Sequence, residues 1–276
     1  MISKLDIRGT EYAIDLDNPT DISIPLCFNG SQPNAYGVES ATSKPVEAGD
    51  LVGDTRLGGS VNFEQYTLIP HCNGTHTECV GHITHERISV RECLRDVFMP
   101  TLLLSVEPER ADNTDDTYSV DLASDDLLIT LNALRSALPS YQFQASVAAR
   151  GANALIIRTL PNDESKLTRQ YGEIIPPFLS TEAVQHIVES GYKHLLIDLP
   201  SIDRIFDGGV LSNHRRFWNI EAGSFETNTD SRIYRTITEL IYVPNVLLDG
   251  EYLLNLQIAP FEADASPSRP MLFKIL

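Results

Sequence analysis

Cysteine is scarce in this sequence of 276 residues, which contains only four. They stand at Cys27, Cys72, Cys79 and Cys93, and no two of them form a Cys-x-x-Cys pair. Disulfide-rich secreted proteins place many more cysteines at short spacings. We therefore expect no disulfides.

Positive charge is also scarce. The chain has 21 Lys and Arg against 38 Asp and Glu, which gives a formal net charge of −17 at pH 7 and an isoelectric point near 4.7. No run of basic residues is available to displace the counterions of a phosphate backbone. We expect neither a nucleic-acid partner nor a membrane partner.

Long apolar runs are absent. None approaches the roughly 18 residues needed to span a bilayer, and Met1-Ile2-Ser3-Lys4-Leu5-Asp6 lacks the apolar core of a signal peptide. A cytoplasmic location is therefore expected. The chain is still long enough, with 42% hydrophobic residues, to bury a sizeable core. We expect a single domain over residues 1–276, with a surface insertion around residues 107–150.

Strand patterns alternate with a few helical ones along the chain. Short apolar runs predict buried strands at residues 101–106, 154–159 and 194–199. Helical spacing is found at residues 124–138, and Ser180 is placed as the N-cap of a further helix. The segment 29–59 is rich in Gly, Pro, Ser and Asn and predicts a long loop. This mixture indicates a layered domain of the α/β or α+β class.

The most informative feature present is a group of histidines at residues 71–82. Three of the seven histidines, His71, His76 and His82, lie there together with Glu78. In an extended segment alternate side chains share a face, so His76, Glu78 and His82 would point the same way. Imidazole and carboxylate groups so arranged predict a site for one or two metal cations.

The residues Gly74-Thr75-His76-x-Glu78-x-x-x-His82 resemble the motif of the cyclase family of metal-dependent hydrolases, which includes bacterial kynurenine formamidase and isatin hydrolase. The family has Asp where this chain has Glu78. The resemblance continues in the family's order through segments 154–159, 197–203, His214, 238–240 and 266–270. It implies an α/β fold of the swivelling β/β/α type with a mixed sheet, and a homodimer or larger homo-oligomer.

The resemblance also implies a role for each matching residue. His76 and Glu78 correspond to metal ligands, and His82 corresponds to the proposed proton shuttle. His214 and Glu239 correspond to the distal ligands of binuclear members, in which Glu239 would bridge the two ions. The implied cofactor is a divalent metal, with zinc preferred and manganese as the second choice, bound as one or two ions.

One departure concerns the first histidine of the family motif. That histidine lies four residues before the position of His76, where this chain has Cys72, and His71 lies five residues before it. A β-bulge could absorb the extra residue and let His71 bind the metal. Cys72 could instead coordinate as a thiolate, which favours zinc. In a third alternative neither residue binds and the site is weakened. We favour His71.

Other residues of the matching segments have less specific interpretations. Asp198 and Asp203 follow an apolar strand, where carboxylates cap turns or line a site wall without binding metal. Arg269 is expected to form an ion pair, either beside the site or at the surface. Phe217 and Trp218 are expected to stack on an aryl substrate or to pack in the core.

Together these residues predict a metal-dependent hydrolase of a small amide, of the arylformamide or cyclic amide type. The metal would lower the pKa of a water molecule, and His82 would accept its proton and pass it to the leaving nitrogen. Two alternatives remain open. One is hydrolysis of a lactone or another ester, and the other is a catalytically impaired paralogue that binds a ligand, for which the altered Cys79-Val80 pair is a reason.

Overall fold

The chain is described by a computed structural model over residues 1–138, 152–172 and 174–276. Its strands are β1 (Ile2–Ile7), β2 (Thr10–Asp15), β3 (Thr20–Asp21), β4 (Asn34–Ala35), β5 (Thr42–Pro45), β6 (Glu47–Ala48), β7 (Leu51–Val52), β8 (Glu64–Thr67), β9 (His76–Glu78), β10 (Phe98–Val106), β11 (Glu109–Arg110), β12 (Leu127–Ile129), β13 (Ala154–Thr159), β14 (Gln170–Tyr171), β15 (Phe178–Leu179), β16 (His194–Ile197), β17 (Thr236–Glu239), β18 (Gly250–Asn255), β19 (Ala265–Pro267) and β20 (Met271–Lys274). Its α-helices are α1 (Pro70–Asn73), α2 (Val90–Cys93), α3 (Leu131–Ala137), α4 (Thr181–Glu189) and α5 (Ser212–Trp218).

A nine-stranded mixed sheet organises the molecule, with the strand order β19-β9-β17-β16-β13-β10-β18-β20-β3. The four central strands β10, β13, β16 and β17 are parallel, and every other pair of neighbouring strands in the sheet is antiparallel. Helices that cross between parallel strands cover one face of such a sheet. The predicted α/β fold with a mixed sheet is confirmed.

The core lies on both faces of this sheet because side chains alternate along each central strand. On β13, Leu155 and Ile157 pack into the cluster that includes Phe217 of α5, whereas Ile156 packs into the cluster on the opposite face. Leu196 of β16 follows Ile156 to that opposite face. Burial on both faces explains why these strands are continuous apolar runs in the sequence.

The predicted strand at 154–159 is found as β13, and 101–106 is the second part of β10. The strand predicted at 194–199 is found as β16, which ends two residues earlier, at Ile197. The prediction for Ser180 is also confirmed, because its hydroxyl accepts a hydrogen bond from the Ala183 N–H at 3.0 Å and so caps α4. The strand, helix and strand from β13 to β16 place α4 against the sheet. No helix among the described residues is long and apolar enough to cross a membrane.

Two local predictions were wrong. Segment 124–138 is not one helix, because Thr130 caps α3 by accepting from the Ala133 N–H at 2.9 Å, and β12 precedes it and pairs with β15. Segment 29–59 is not an uninterrupted loop, since it contains β4 to β7. The hairpin of β6 and β7 turns at Gly49, whose φ of +59° suits a residue without a side chain. The predicted insertion around 107–150 stays a prediction, and its residues 139–151 lie outside the described ranges.

Candidate metal centre

Glu78 lies at the centre of the histidine cluster. It is the fully buried last residue of β9, on the face of the sheet to which its partner on β17, Ile237, also points. Its Oε1 accepts a hydrogen bond from His214 Nε2 at 2.8 Å, and its Oε2 lies 3.0 Å from His71 Nδ1 and 3.9 Å from His82 Nε2. Burial alone would raise the pKa of Glu78, but the neighbouring histidines hold that pKa well below its usual value. Glu78 is therefore an ionised carboxylate surrounded by imidazoles.

His76 and Glu239 face each other across the ladder of β9 and β17, where they are directly paired. His76 Nδ1 lies 3.1 Å from Gly74 O, so this nitrogen carries the proton and Nε2 carries the lone pair. That Nε2 lies 3.5 Å from Glu239 Oε2 and has no hydrogen-bond partner, although it is fully buried. Glu239 Oε1 accepts from the Ile202 N–H at 2.9 Å. The buried Oε2 of Glu78 makes no well-aligned hydrogen bond, but it forms an ion pair with His71 Nδ1 at 3.0 Å.

His214, in the first half of α5, is held from behind by Asp203. The Asp203 Oδ2 lies 2.6 Å from His214 Nδ1, and its Oδ1 accepts from the Asn213 N–H at 2.8 Å and from the Tyr118 hydroxyl at 2.6 Å. Burial acts against ionisation of both partners, but their mutual attraction and hydrogen bonds outweigh it. The pKa of Asp203 is therefore lowered, and the pKa of His214 is raised well above its usual value. Asp203 thus orients an imidazole towards Glu78.

Asp264, in the loop before β19, is a site residue that the sequence did not indicate. Its Oδ2 lies 2.9 Å from His71 Nε2 and 3.3 Å from His82 Nδ1. Burial alone would lower the pKa of His71, but Asp264 and Glu78 raise it to about 10. In turn, hydrogen bonds from His71 and His82 lower the pKa of Asp264 strongly. Asp264 pairs with two histidines at the solvent side of the cluster, where its side chain is 37% exposed.

The chain from His71 to His82 is not one extended segment. Only His76 and Glu78 share a strand face, and His82 lies in a 3-10 turn over Val80–Ile83. Gly81 packs so closely against a backbone carbonyl that an added β-carbon would approach it to 2.1 Å. The chain folds back at this point and brings His82 to Glu78 from the turn. The prediction that all three side chains follow a single strand is therefore wrong for His82.

The extra residue before His76 is absorbed by the helical turn α1 and not by a β-bulge. Pro70 occupies the first position of this turn, where its fixed φ is favourable. The Asn73 side chain accepts from the Ile69 N–H at 2.7 Å and closes the turn. This turn directs the His71 ring towards the cluster.

Cys72 follows His71 in α1 and is buried, and burial raises the pKa of its thiol to about 11. Within the described part of the chain, three groups bring potential ligand atoms within 4.8 Å of one another, and none includes Cys72. These groups are His71, His76 and Glu78; Glu78, His82 and His214; and His71, His82 and Asp264.

The less specific predictions are resolved towards structural roles. Arg269 is 72% exposed and bonds Asp21 at 2.6 Å, which is the surface ion pair. Phe217 and Trp218 are fully buried in the core cluster. Asp198 bonds the buried ammonium group of Lys166 at 2.7 Å and does not meet the histidines.

The sequence matches the Cyclase family over residues 14–204. No curated protein matches it. Among solved structures, isatin hydrolase A from Labrenzia aggregata bound to benzyl benzoate has a TM-score of 0.58 at 12% identity, over 94% of this chain and 94% of that chain.

Two further structures are similar over almost their full lengths. An isatin hydrolase bound to the product analogue thioisatinate has a TM-score of 0.58 at 14% identity, over 94% of this chain and 92% of its own. A protein of Bacillus stearothermophilus described as a "predicted metal-dependent hydrolase" has a TM-score of 0.54 at 15% identity, over 93% of this chain and 98% of that chain. At these identities the similarity shows a common fold.

Proposed function

Because the chain belongs to the cyclase family, we propose that it is a metal-dependent hydrolase whose centre is formed by His71, His76, Glu78, His214 and Glu239. The observation that carries this proposal is the buried His76 Nε2, which has no hydrogen-bond partner although the carboxylates of Glu78 and Glu239 lie beside it. Buried polar atoms are nearly always satisfied by a partner, and a cation between a lone pair and a carboxylate would satisfy both. The nitrogen and oxygen donors suit zinc first and manganese second, as one or two ions.

The three imidazoles of this centre are each oriented by an acceptor on their far side. Gly74 O holds the protonated nitrogen of His76, Asp203 holds that of His214, and Asp264 that of His71. Such acceptors fix the tautomer and leave the other ring nitrogen for a metal. For His71 the nitrogen left over is Nδ1, which lies 3.0 Å from Glu78 Oε2. This arrangement supports His71 over Cys72 as the ligand.

A divalent cation bound here would lower the pKa of a water molecule and polarise the scissile carbonyl. His82 is suited to proton transfer because its side chain is 28% exposed and its Nε2 faces the cluster, while Asp264 lies behind its Nδ1. His82 Nε2 would accept the proton of the attacking water and then donate it to the leaving nitrogen. Asp264 would stabilise the imidazolium between these two steps.

The proposed substrate is a small amide of the arylformamide or cyclic amide type. The names of the isatin hydrolase neighbours motivate this class, and an aromatic pair beside the centre supports it. The Tyr36 hydroxyl bonds Ser201, and its pKa is raised by burial and by Glu239. The Tyr36 ring packs edge to face against Phe206 at 5.9 Å, and Phe206 is 59% exposed. This pair offers an aromatic surface to a planar substrate.

The test compares amides with esters on metal-loaded protein. We expect an N-formylated aniline or a five-membered cyclic amide to be hydrolysed by protein that contains stoichiometric zinc or manganese. His82→Ala should remove most of this activity with metal content unchanged, and the control His85→Ala should not, because His85 stacks on Phe225 outside the cluster. Activity on lactones alone would assign an ester hydrolase instead. Tight ligand binding without turnover would assign an impaired paralogue.

We also propose that the chain assembles into a homodimer or larger homo-oligomer, as the family resemblance implies. Light scattering of the purified protein tests this, and a monomeric mass would contradict it.

A further inference from the structure

Four arginines lie near α5 and form no ion pair with a carboxylate of the described residues, although the chain has a net charge of −17. Arg215 and Arg216 belong to α5, and Arg232 and Arg235 belong to the segment that follows it. No carboxylate of the described residues forms an ion pair with any of the four, and their hydrogen bonds run to neutral groups. A local excess of positive charge is thus present in a strongly acidic protein.

The other buried or partly buried arginines of the described chain each pair with a carboxylate. Arg158 lies 3.1 Å from Asp249, and Arg204 lies 3.0 Å from Asp126. Acidic residues are abundant enough to pair with the arginines near α5 as well, so the absence of such pairs needs a reason. Binding of an anionic ligand is one that follows from charge alone.

The contacts of these arginines compensate their charge only partly. Arg215 is 7% exposed and donates to the carbonyl oxygens of Val210 at 2.9 Å and Glu221 at 3.1 Å. Arg232 donates to the carbonyl of Arg216 at 2.8 Å, near the end of α5. These carbonyls are dipoles without net charge, so the guanidinium charges remain.

Arg235 shows the same excess of positive charge. Its Nη1 is buried without any hydrogen-bond partner. Burial and the neighbouring charge of Arg232 lower its pKa to about 10.

Three of the arginines line a cavity of about 720 Å³. Among the residues that the structure describes, no acidic side chain lines it, and polar groups of Gln185, Ser212 and Asn219 share its wall. Phe225 adds an apolar surface, with the Arg215 guanidinium 5.4 Å from its ring centre. A volume of this size is within the range of small-molecule sites.

The cavity lies on a different side of α5 from the metal centre. Successive residues of an α-helix are rotated by about 100° from one another. His214 points to Glu78, so the next two residues, Arg215 and Arg216, point to other faces. A ligand in the cavity would therefore not occupy the proposed substrate position at Glu78.

We propose that this cavity binds a small phosphate-bearing molecule. Guanidinium groups match the oxygens of phosphate in pairs, and a phosphate group carries more negative charge and more acceptor oxygens than a carboxylate. Arg216 and Arg232 would bind the phosphate group beside Arg215, and amide and hydroxyl donors of the wall would meet its remaining oxygens. The Phe225 ring would cover the organic part.

Calorimetric titration of the metal-loaded protein with inorganic phosphate tests this site, with acetate at equal ionic strength as the comparison. We expect saturable phosphate binding that is tighter than acetate binding. Arg216→Gln and Arg232→Gln should each weaken it roughly tenfold, and Arg216→Lys should lose less because the charge remains. Arg91→Gln is the matched control, because Arg91 is half exposed and pairs with Glu262.

A Glu78→Gln variant distinguishes phosphate binding in this cavity from phosphate binding at the metal centre. If phosphate binds in the cavity, this variant should bind it as tightly as the wild type does. The proposal is overturned if the wild type shows no saturable phosphate binding, or if acetate binds equally well. It is also overturned if Arg216→Gln and Arg232→Gln bind phosphate as tightly as the wild type, or if Glu78→Gln abolishes phosphate binding. Thermal melting of each variant checks that its fold is intact.

Discussion

Two carboxylate and histidine pairs flank Glu78, and they differ in burial. Asp203 and His214 are 1% and 2% exposed, lie 11 residues apart in the sequence and are fixed by backbone N–H groups at the start of α5. Asp264 and His71 are 37% and 25% exposed and lie 193 residues apart. One pair belongs to the core and the other to the solvent boundary.

This difference in burial predicts that the two pairs have different roles in the same centre. A buried ion pair has no water to replace a lost partner, so the inner pair should control ligand geometry and stability. In the outer pair, Asp264 contacts His82 as well as His71, and its partly exposed side chain can exchange protons with solvent. We therefore expect changes at the inner pair to affect metal binding most, and changes at the outer pair to affect proton transfer most.

The largest effect is expected where the two pairs meet. Glu78→Gln removes the charge that both His71 and His214 face, so metal should be lost and kcat/KM should fall by roughly a thousandfold or more. Elemental analysis and amide hydrolysis measure this. Glu78→Asp, which restores the acidic residue of the family motif, is the control and should keep metal. A Gln variant with full metal content and activity would contradict the central place of Glu78.

The inner pair is tested by Asp203→Asn. The variant leaves His214 without its orienting charge, and metal affinity should fall by about a hundredfold. Competition with a chelator gives the affinity. An affinity within twofold of the wild type would remove the distinction between the inner and outer pairs.

The outer pair is tested by Asp264→Asn. We expect metal affinity to fall less than in Asp203→Asn, and kcat to fall by about tenfold, because His82 loses the carboxylate that stabilises its protonated form. Equal losses of metal in the two Asn variants would show that burial does not separate their roles.

The pKa of His71, raised to about 10, predicts that metal binding depends on pH. In metal-free protein at pH 7, His71 is then an imidazolium with a proton on both ring nitrogens. The second proton must leave before the ring can bind a cation. Metal affinity should therefore rise as pH rises towards 10 and weaken as pH falls, by about tenfold per pH unit for each proton released. Calorimetry in buffers of different ionisation enthalpy counts these protons. Affinity independent of pH between 6 and 9 would contradict the ion pair of His71.

The smallest effect is expected for Cys72→Ser. Because the buried thiol holds its proton at neutral pH and lies outside the ligand groups, metal content and kcat should stay within about twofold of the wild type. His71→Ala is the matched comparison and should lose metal. The reverse ranking of these two variants would assign the thiolate as ligand.

Sequence alone predicted the parts of the fold that depend on local periodicity. The strands 154–159 and 194–197 could be predicted because both of their faces are buried, so that each is a continuous apolar run in the sequence. The cap at Ser180 could be predicted because its hydrogen bond joins residues only three positions apart in the sequence. His214 and Glu239 came from the family resemblance, since no local pattern marks them.

Asp264 could not be predicted because nothing in its neighbourhood distinguishes it from the other acidic residues, which number 38 with Glu included. It reaches the site only because β19 pairs with β9, a contact between distant segments. The turn at His82 was missed for a related reason, since the close approach of Gly81 to the chain at Ile88 is set by packing. Long-range pairing, which local propensity does not encode, completes the centre.

The direct pairing of His76 with Glu239 across β9 and β17 gives this centre a particular vulnerability to insertions and deletions. Side chains alternate at each step of a strand, so one added or lost residue in either strand turns its ligand to the opposite face of the sheet. A substitution in either strand leaves the direction of the other side chains unchanged, but an inserted or deleted residue does not. Changes in chain length that preserve the centre are therefore confined to the loops, and the three proposed ligands on strands, His76, Glu78 and Glu239, keep a fixed spacing in the sheet.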